Sequence, residues 1–210
     1  LSALINNVSL ALVFNDVPKT QLRRSAIEKH EKTNVIEGYP DGSFRPDDLI
    51  NRVEYLKIIL DGTGVPLNVD NKTGFFDVSE EEWYSPYLQK AACEGWIEGY
   101  PDNTFRPDQP INKAEAYKIL GEVQKWDRLA REEVPEPPFK DTFRFGWYSP
   151  YVYFAKENNI IFEEAEYFYP EANITRGYMA ELIYQTQLNG VNRFEPDKSI
   201  GKVHGYTGNW

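Results

Sequence analysis

The sequence has one cysteine, Cys93, one methionine, and two histidines, His30 and His204, among 210 residues. A single thiol excludes an internal disulfide framework and any cysteine-built metal site. It does not decide the compartment, because many exported bacterial proteins also do without cysteine. Two histidines leave little material for a histidine-ligated metal centre or a Ser-His-Asp triad. No hydrophobic run reaches the length of a bilayer. The opening stretch from Leu1 to Val13 is apolar, but Asn6, Asn7 and Ser9 interrupt it and no basic segment precedes it, so it reads as neither a membrane span nor a signal peptide. The first residue is Leu1 and not methionine, so the chain is expected to be a processed or shortened form, with any export signal out of view. Positive charge is in the minority: 23 Lys and Arg against 33 Asp and Glu give a net charge of −10. That argues against nucleic acid and anionic lipid as broad-surface partners, though not against an acidic ligand in a locally basic pocket.

What is present is a folded composition, 41% hydrophobic and 15% aromatic, in a chain long enough for a sizeable core. It is also a repeated one. Gly38-Tyr39-Pro40-Asp41-Gly42-Ser43-Phe44-Arg45-Pro46-Asp47 runs on to Ile50-Asn51-Arg52-Val53-Glu54. Gly99-Tyr100-Pro101-Asp102-Asn103-Thr104-Phe105-Arg106-Pro107-Asp108 runs on to Ile111-Asn112-Lys113-Ala114-Glu115. A worn third copy reads Phe168-Tyr169-Pro170-Glu171, then Ile174-Thr175-Arg176-Gly177-Tyr178. The aligned Phe44, Phe105 and Phe168 are 61 and 63 residues apart. Each unit opens on Phe-x-Asp, at Phe14–Asp16, Phe75–Asp77 and Phe139–Asp141, with Leu22, Trp83 and Trp147 eight residues on. Self-similarity at this period sets the architecture.

Local signals place two helices in each unit. Ser85-Pro86 and Ser149-Pro150 put a capping serine before a proline suited to the first helical position. Tyr87, Leu88, Ala91 and Ala92, like Tyr151, Val152 and Ala155, then recur at helical spacing. The matching helix of the first unit is expected over Leu22 to Lys32, with His30 in the slot of Ala91 and Ala155, and Gly95 is the expected stop in the second. Tyr39-Pro40-Asp41-Gly42 suits a type I turn, with Phe44 and Phe105 anchoring the loop that follows. Asn51 with Glu54, and Asn112 with Glu115, have capping-box spacing. Val53, Leu56, Ile59 and Leu60 give the second helix an apolar stripe, echoed by Tyr117, Leu120 and Val123 and by Ala180 and Ile183. Linkers fall at Thr63 to Gly74 and at Val134-Pro135-Glu136-Pro137-Pro138. The units are therefore residues 1–62, 63–130 and 131–188, with 189–210 a tail or linker. A lone unit of about 60 residues cannot bury enough apolar area, so the three are expected to share one core and fold as one.

These units resemble the S-layer homology family, whose pattern is Phe-x-Asp-Val, a Trp, a helix, Gly-Tyr-Pro-Asp-Gly-x-Phe-x-Pro and then Ile-Thr-Arg-Ala-Glu. The resemblance covers about residues 14–188 in three copies. It implies a mostly α fold in which three repeats form a pseudo-threefold domain around a central helical bundle. It also implies a non-catalytic anchor on the bacterial cell surface, outside the cell, whose inter-repeat grooves bind an acidic, commonly pyruvylated, secondary cell wall polysaccharide and so tether an S-layer or other surface protein. The alternative is a module for self-association within a surface layer, without glycan binding. Neither reading asks for a cofactor, a metal or insertion into a membrane.

The chemistry of the repeated slots suits that role. A ketal-linked pyruvate is a fixed carboxylate, which guanidinium meets with two parallel hydrogen bonds. Arg52, Lys113 and Arg176 hold the basic slot at a helix start, where unpaired amides and the helix dipole also favour an anion. Trp83 and Trp147 offer faces for a sugar. Asp16, Asp77, Asp141, Tyr39 and Tyr100 complete the candidate binding set, although turn bonding explains the aspartates equally well. The copies differ. Leu22 replaces the tryptophan in the first. Lys113 lacks the guanidinium fork in the second, and the third exchanges the turn for Glu164-Ala165-Glu166-Tyr167 and the capping glutamate for Tyr178. The grooves are therefore expected to be unequal. No nucleophile elbow, metal motif or phosphate loop is present, and the carboxylates that a glycosidase would need sit in repeated structural slots. Asp41 to Asp48 lacks the alternating oxygen ligands of a calcium loop. Cys93, on an alanine-lined helix, is expected to be buried and inert.

Overall fold

The computed structural model describes residues 14–69, 72–126 and 136–189. The opening segment to Val13, the tail beyond 189 and part of the proline-rich linker lie outside the described residues. Six α-helices occur among those described: α1 Arg24–Lys32, α2 Arg52–Thr63, α3 Ser85–Cys93, α4 Lys113–Gln124, α5 Ser149–Glu157 and α6 Arg176–Leu188. There are two per repeat, and no extended strand is among them.

The longer helices, α2, α4 and α6, form the centre. Tyr55 of α2 donates its hydroxyl to the Ala116 carbonyl of α4 at 2.7 Å, and the Tyr117 and Tyr178 hydroxyls meet at 3.2 Å. Each shorter helix packs on the central helix of the preceding repeat, α3 on α2, α5 on α4, and α1 back on α6. The chain thus closes into a pseudo-threefold ring. At its axis the isoleucines that precede the central helices pair in a cycle. The Ile50 amide donates to the Ile174 carbonyl, Ile174 to Ile111 and Ile111 to Ile50, at 3.2, 3.0 and 3.1 Å. All three side chains are buried, so these bonds are shielded from water and each polar group depends on the neighbouring repeat for its partner.

The capping boxes form as the spacing predicts. The Asn51 and Asn112 side chains accept the amides of Glu54 and Glu115, whose carboxylates return to the asparagine amides. Thr175 caps α6 through the Tyr178 amide alone. The two amides ahead of these go across the repeat boundary. Arg52 and Val53 donate to Gln109 and Pro107, Lys113 and Ala114 to Ala172 and Pro170, and Arg176 and Gly177 to Asp48 and Pro46. This corrects the expectation of helix starts open to an anion: the first three amides of each central helix are satisfied within the protein.

Other local expectations divide. Phe44 and Phe105 are buried, and the Tyr39 and Tyr100 carbonyls accept the amides three residues on, at 2.9 and 2.8 Å, which closes both turns. Helix α1 starts at Arg24, two residues later than predicted, because the Gln21 carbonyl takes the Arg24 amide in a preceding turn. Ser85 and Ser149 are the first helical residues and not caps. Ser85 Oγ accepts from Gln89 Nε2 at 3.1 Å, and Ser149 Oγ donates to the Phe143 carbonyl. Cys93 is exposed, since it falls in the last turn of α3, past the buried Leu88–Ala91 face.

Candidate functional site

The aspartates of Phe-x-Asp come first, because they fix the turn over which each site is built. Asp16 accepts the amides of Phe44 and Arg45 at 2.8 and 2.6 Å. Asp77 takes Phe105 and Arg106 at 2.8 and 2.6 Å, and Asp141 takes Phe168 and Tyr169, both at 2.7 Å. The second amide of each pair belongs to a residue at φ near +58°, a conformation that side chains seldom adopt unaided. Two charge-assisted bonds to one carboxylate hold it there. The Phe carbonyl between them faces the neighbouring repeat.

In two of the three turns that carbonyl receives the basic residue. Arg52 Nε donates to the Phe105 carbonyl and Arg176 Nε to the Phe44 carbonyl, both at 2.9 Å. Their guanidinium groups lie over the rings of Tyr100 and Phe105, and of Tyr39 and Phe44, at 4.4 to 5.1 Å. Lys113 Nζ lies 5.6 Å from the Phe168 ring and 5.0 Å from the Tyr178 ring. All three cations are buried. The repeats thus place Arg52, Lys113 and Arg176 in three equivalent boundary sites, each combining one repeat's helix start with the next repeat's turn.

Charge compensation separates the three. Arg52 Nη1 is 2.6 Å from Glu115 Oε1, an ion pair, and the Tyr100 hydroxyl donates to the same oxygen at 2.9 Å. Burial, with this carboxylate, pushes the Tyr100 phenol above its ordinary pKa. Lys113 Nζ is 2.6 Å from Glu163 Oε2, and the Tyr178 hydroxyl meets that carboxylate at 3.2 Å. Tyr178 stands in the slot of Glu115 and Glu163, counted back from Phe168, in that of Tyr100, so the third repeat keeps a tyrosine–carboxylate pair with its members exchanged. Arg176 differs from both. It bonds the Phe44 carbonyl and, through Nη2, the Glu37 carbonyl at 3.1 Å. Among the described residues no carboxylate lies within ion-pair distance of it.

The boundary of Arg52 opens into a cavity of about 370 Å³. Arg52, Tyr100, Glu115, Lys118, Trp147 and Tyr151 are among its lining residues. Trp147 is 58% exposed, a face turned outward, whereas Trp83 is half-buried against Tyr84 and Tyr87. The structure therefore brings together Arg52, Tyr100 and Trp147. It joins Tyr39 to Arg176, leaves Trp83 outside this cavity, and engages Asp16, Asp77 and Asp141 in turn amides. The Lys113 boundary is filled: Phe162 packs on Tyr178 at 4.9 Å, and Arg23 covers both rings at 5.9 and 5.6 Å.

Lys118 and the turn arginines were not singled out from sequence. Lys118 Nζ donates to the Trp96 carbonyl at 2.9 Å, with Glu98 and Glu122 at 3.7 and 3.9 Å. Arg45 and Arg106 clamp Asp41 and Asp102 at 2.9 and 3.0 Å while stacking on Tyr39 and Tyr100 at 3.8 and 3.9 Å. Hydrogen bonds from the Ser43 hydroxyl and amide, then Arg45, lower the Asp41 carboxyl to about 2. In-register comparison carries the signal for these residues: Lys57 and Lys118 share a slot, and Glu181 occupies it in the third repeat.

Three turns clamped in the same way, three cations crossing repeat boundaries and a closed amide cycle define a threefold repeat module with polar grooves at its joints. The chain belongs to the S-layer homology domain family, which matches residues 13–56, 74–116 and 138–180. It is 33% identical over 114 residues to a cellulosome-anchoring protein of Acetivibrio thermocellus, covering 52% of this chain and 25% of that protein. It is 26% identical over 97 residues to a surface layer protein of Brevibacillus choshinensis, covering 45% and 9%, and 28% identical over 177 residues to an amylopullulanase of Thermoanaerobacterium thermosulfurigenes, covering 81% and 9%. The chain thus spans a quarter or less of the length of these relatives. S-layer homology domains are non-catalytic anchoring modules that bind cell-wall polymers, and membership places the chain at the extracellular cell surface. Among the described residues, no helix is long and apolar enough to cross a membrane.

Proposed function

We propose that the chain anchors its parent protein by binding an acidic, pyruvylated cell wall polysaccharide in two of its inter-repeat grooves, without catalysis. The observation that carries this reading is the unequal compensation of three equivalent buried cations. A buried charge requires a counter-charge or a full set of hydrogen-bond acceptors. Glu115 supplies the counter-charge to Arg52 and Glu163 supplies it to Lys113, whereas Arg176 has two carbonyls and two ring faces. A ketal carboxylate completes the set at Arg176. The cavity at Arg52 takes neutral parts of the sugar: Trp147 and Tyr100 offer ring faces, while Glu115 and Lys118 accept and donate to hydroxyls. The Lys113 groove, filled by Phe162 and Arg23, is a structural joint.

A double-mutant cycle tests this with titration calorimetry on wall polysaccharide before and after chemical removal of pyruvate. A charge-assisted contact contributes roughly 1.5–3 kcal/mol, or about ten- to a hundredfold in affinity. Arg176→Ala is expected to lose that factor on the pyruvylated polymer and little on the stripped one. Arg52→Ala is expected to weaken binding to both polymers alike. Additive losses at Arg176 would remove it as the carboxylate's partner, and retention on stripped wall equal to that on native wall would remove the acidic group from recognition.

A further inference from the structure

The turn between Phe-x-Asp and the first helix is built alike in all three repeats. Gln21 donates its amide to the Pro18 carbonyl, Glu82 to Ser79 and Gly146 to Phe143, at 2.9, 3.4 and 3.1 Å. The residue that starts or precedes the next helix then bonds back. Arg24 donates to Gln21, Ser85 to Glu82 and Ser149 to Gly146, at 3.1, 3.0 and 2.9 Å. One backbone therefore carries three different surfaces: Pro18-Lys19-Thr20-Gln21, Ser79-Glu80-Glu81-Glu82 and Phe143-Arg144-Phe145-Gly146. The backbone does not require aromatic residues, since two copies form it without them. In the third copy Phe143 is 71% and Phe145 84% exposed, and they are followed by the outward face of Trp147. Three exposed aromatics within five residues cost solubility and add nothing to the core, which points to a ligand.

We infer that Phe143, Phe145 and Trp147 form an outer saccharide subsite, which continues the Arg52 cavity and receives the next sugars of a polysaccharide chain. The inference rests on the proposed glycan binding. Trp147 belongs to both surfaces, as it ends the aromatic turn and lines the cavity. The charge of the turn agrees with an acidic polymer. Arg144, stacked on Phe145 at 5.5 Å, stands where the second repeat has Glu80. The second repeat's run of Glu80, Glu81 and Glu82 would repel the chain that this turn accepts. The turn is also preorganised by the Ser149 hydroxyl, which together with the Gly146 amide holds the Phe143 carbonyl. Little ordering is left to offset binding. Aromatic faces bind apolar sugar faces while the hydroxyls remain in water.

The test uses fragments of purified wall polysaccharide, fractionated to two and to six sugars, and compares wild type with the double variant Phe143→Ala, Phe145→Ala. Wild type is expected to bind the longer fragment more tightly, and the double variant to lose about tenfold on that fragment alone. Phe145→Trp is expected to retain the wild-type preference. Trp147→Ala is expected to weaken binding of both fragments. An unchanged affinity of the double variant for six sugars overturns the outer subsite while leaving the anchoring reading in place. Failure of wild type to bind either fragment overturns both. Sedimentation of the same proteins supplies the remaining arm. A wild-type dimer that the double variant converts to monomer, with glycan affinity unchanged, would assign the turn to contact with a second copy and overturn the subsite.

Discussion

His30 shows what one substitution costs when a repeat departs from its pattern. Ala91 and Ala155 fill the same slot in the other copies, and each of the three carbonyls accepts an amide at the end of its helix. His30 puts an imidazole there, fully buried between α1 and α6, edge-on to Tyr184 at 6.4 Å and with no well-formed hydrogen bond to either ring nitrogen. Burial, with Lys29 adding repulsion and the Ala180 backbone giving weak support, lowers its pKa from 6.5 to about 4. In that interval the unfolded chain takes up the proton more readily than the folded one. Stability is therefore complete above pH 6.5 and is lost as pH falls toward 4. The size is about 2–3 kcal/mol between pH 7.5 and 4.5. Urea unfolding at those two values checks it: His30→Leu is expected to remove that part of the acid sensitivity, and an unchanged pH dependence in the variant would place the sensitivity elsewhere.

Elements that depend on neighbours in the chain were legible in the sequence, and those that depend on neighbours in space were not. Asn51 with Glu54 and Asn112 with Glu115 form the predicted boxes because both members lie on one turn of helix. The serines ahead of the prolines misled, because a cap is set by where the helix begins and the preceding turn hands its last bond to Ser85 and Ser149. The exchange of tyrosine and glutamate in the third repeat reads, position by position, as two losses. Only the structure shows that Glu163 and Tyr178 face one another and reproduce the Tyr100–Glu115 pair. A cycle at this pair tests the reading. Glu163→Tyr leaves Lys113 without its carboxylate and is expected to cost about 1–2 kcal/mol, reduced from the fully buried value because Glu163 is partly exposed. Tyr178→Glu sets two carboxylates face to face and is expected to destabilise as well. The double exchange rebuilds the arrangement of the Arg52 boundary and is expected to recover about 1 kcal/mol or more over the sum of the singles. Strict additivity in thermal unfolding would mean that the two positions do not act as a pair.

At the scale of the whole molecule, no repeat supplies all of its own polar partners. Ile50, Ile111 and Ile174 close their amide cycle only when all three repeats are present, and the first two amides of each central helix end on carbonyls of the following repeat. The apolar surface follows the same rule, because each short helix covers the central helix of another repeat. Removing the third repeat strips α6 from α1 and Arg176 from the Phe44 and Glu37 carbonyls, and it exposes the buried Ile50, Ile111 and Tyr117. The Ile50 amide and the Ile111 carbonyl then lose their partners. Each unpaired group costs about 1–3 kcal/mol if it stays buried, against a typical total stability of 5–15 kcal/mol. The loss of shared core adds to this, so two repeats are not expected to hold the fold of three. We therefore expect one urea transition for the intact chain, coincident by tryptophan fluorescence and far-ultraviolet circular dichroism. A chain ending at residue 130, which keeps α4 whole, is expected to lose the cooperative transition and to bind a hydrophobic dye. A truncated chain that unfolds cooperatively, or an intact chain that unfolds in separate steps, would show the repeats to be beads on a string and the amide cycle to be a consequence of packing instead of its lock.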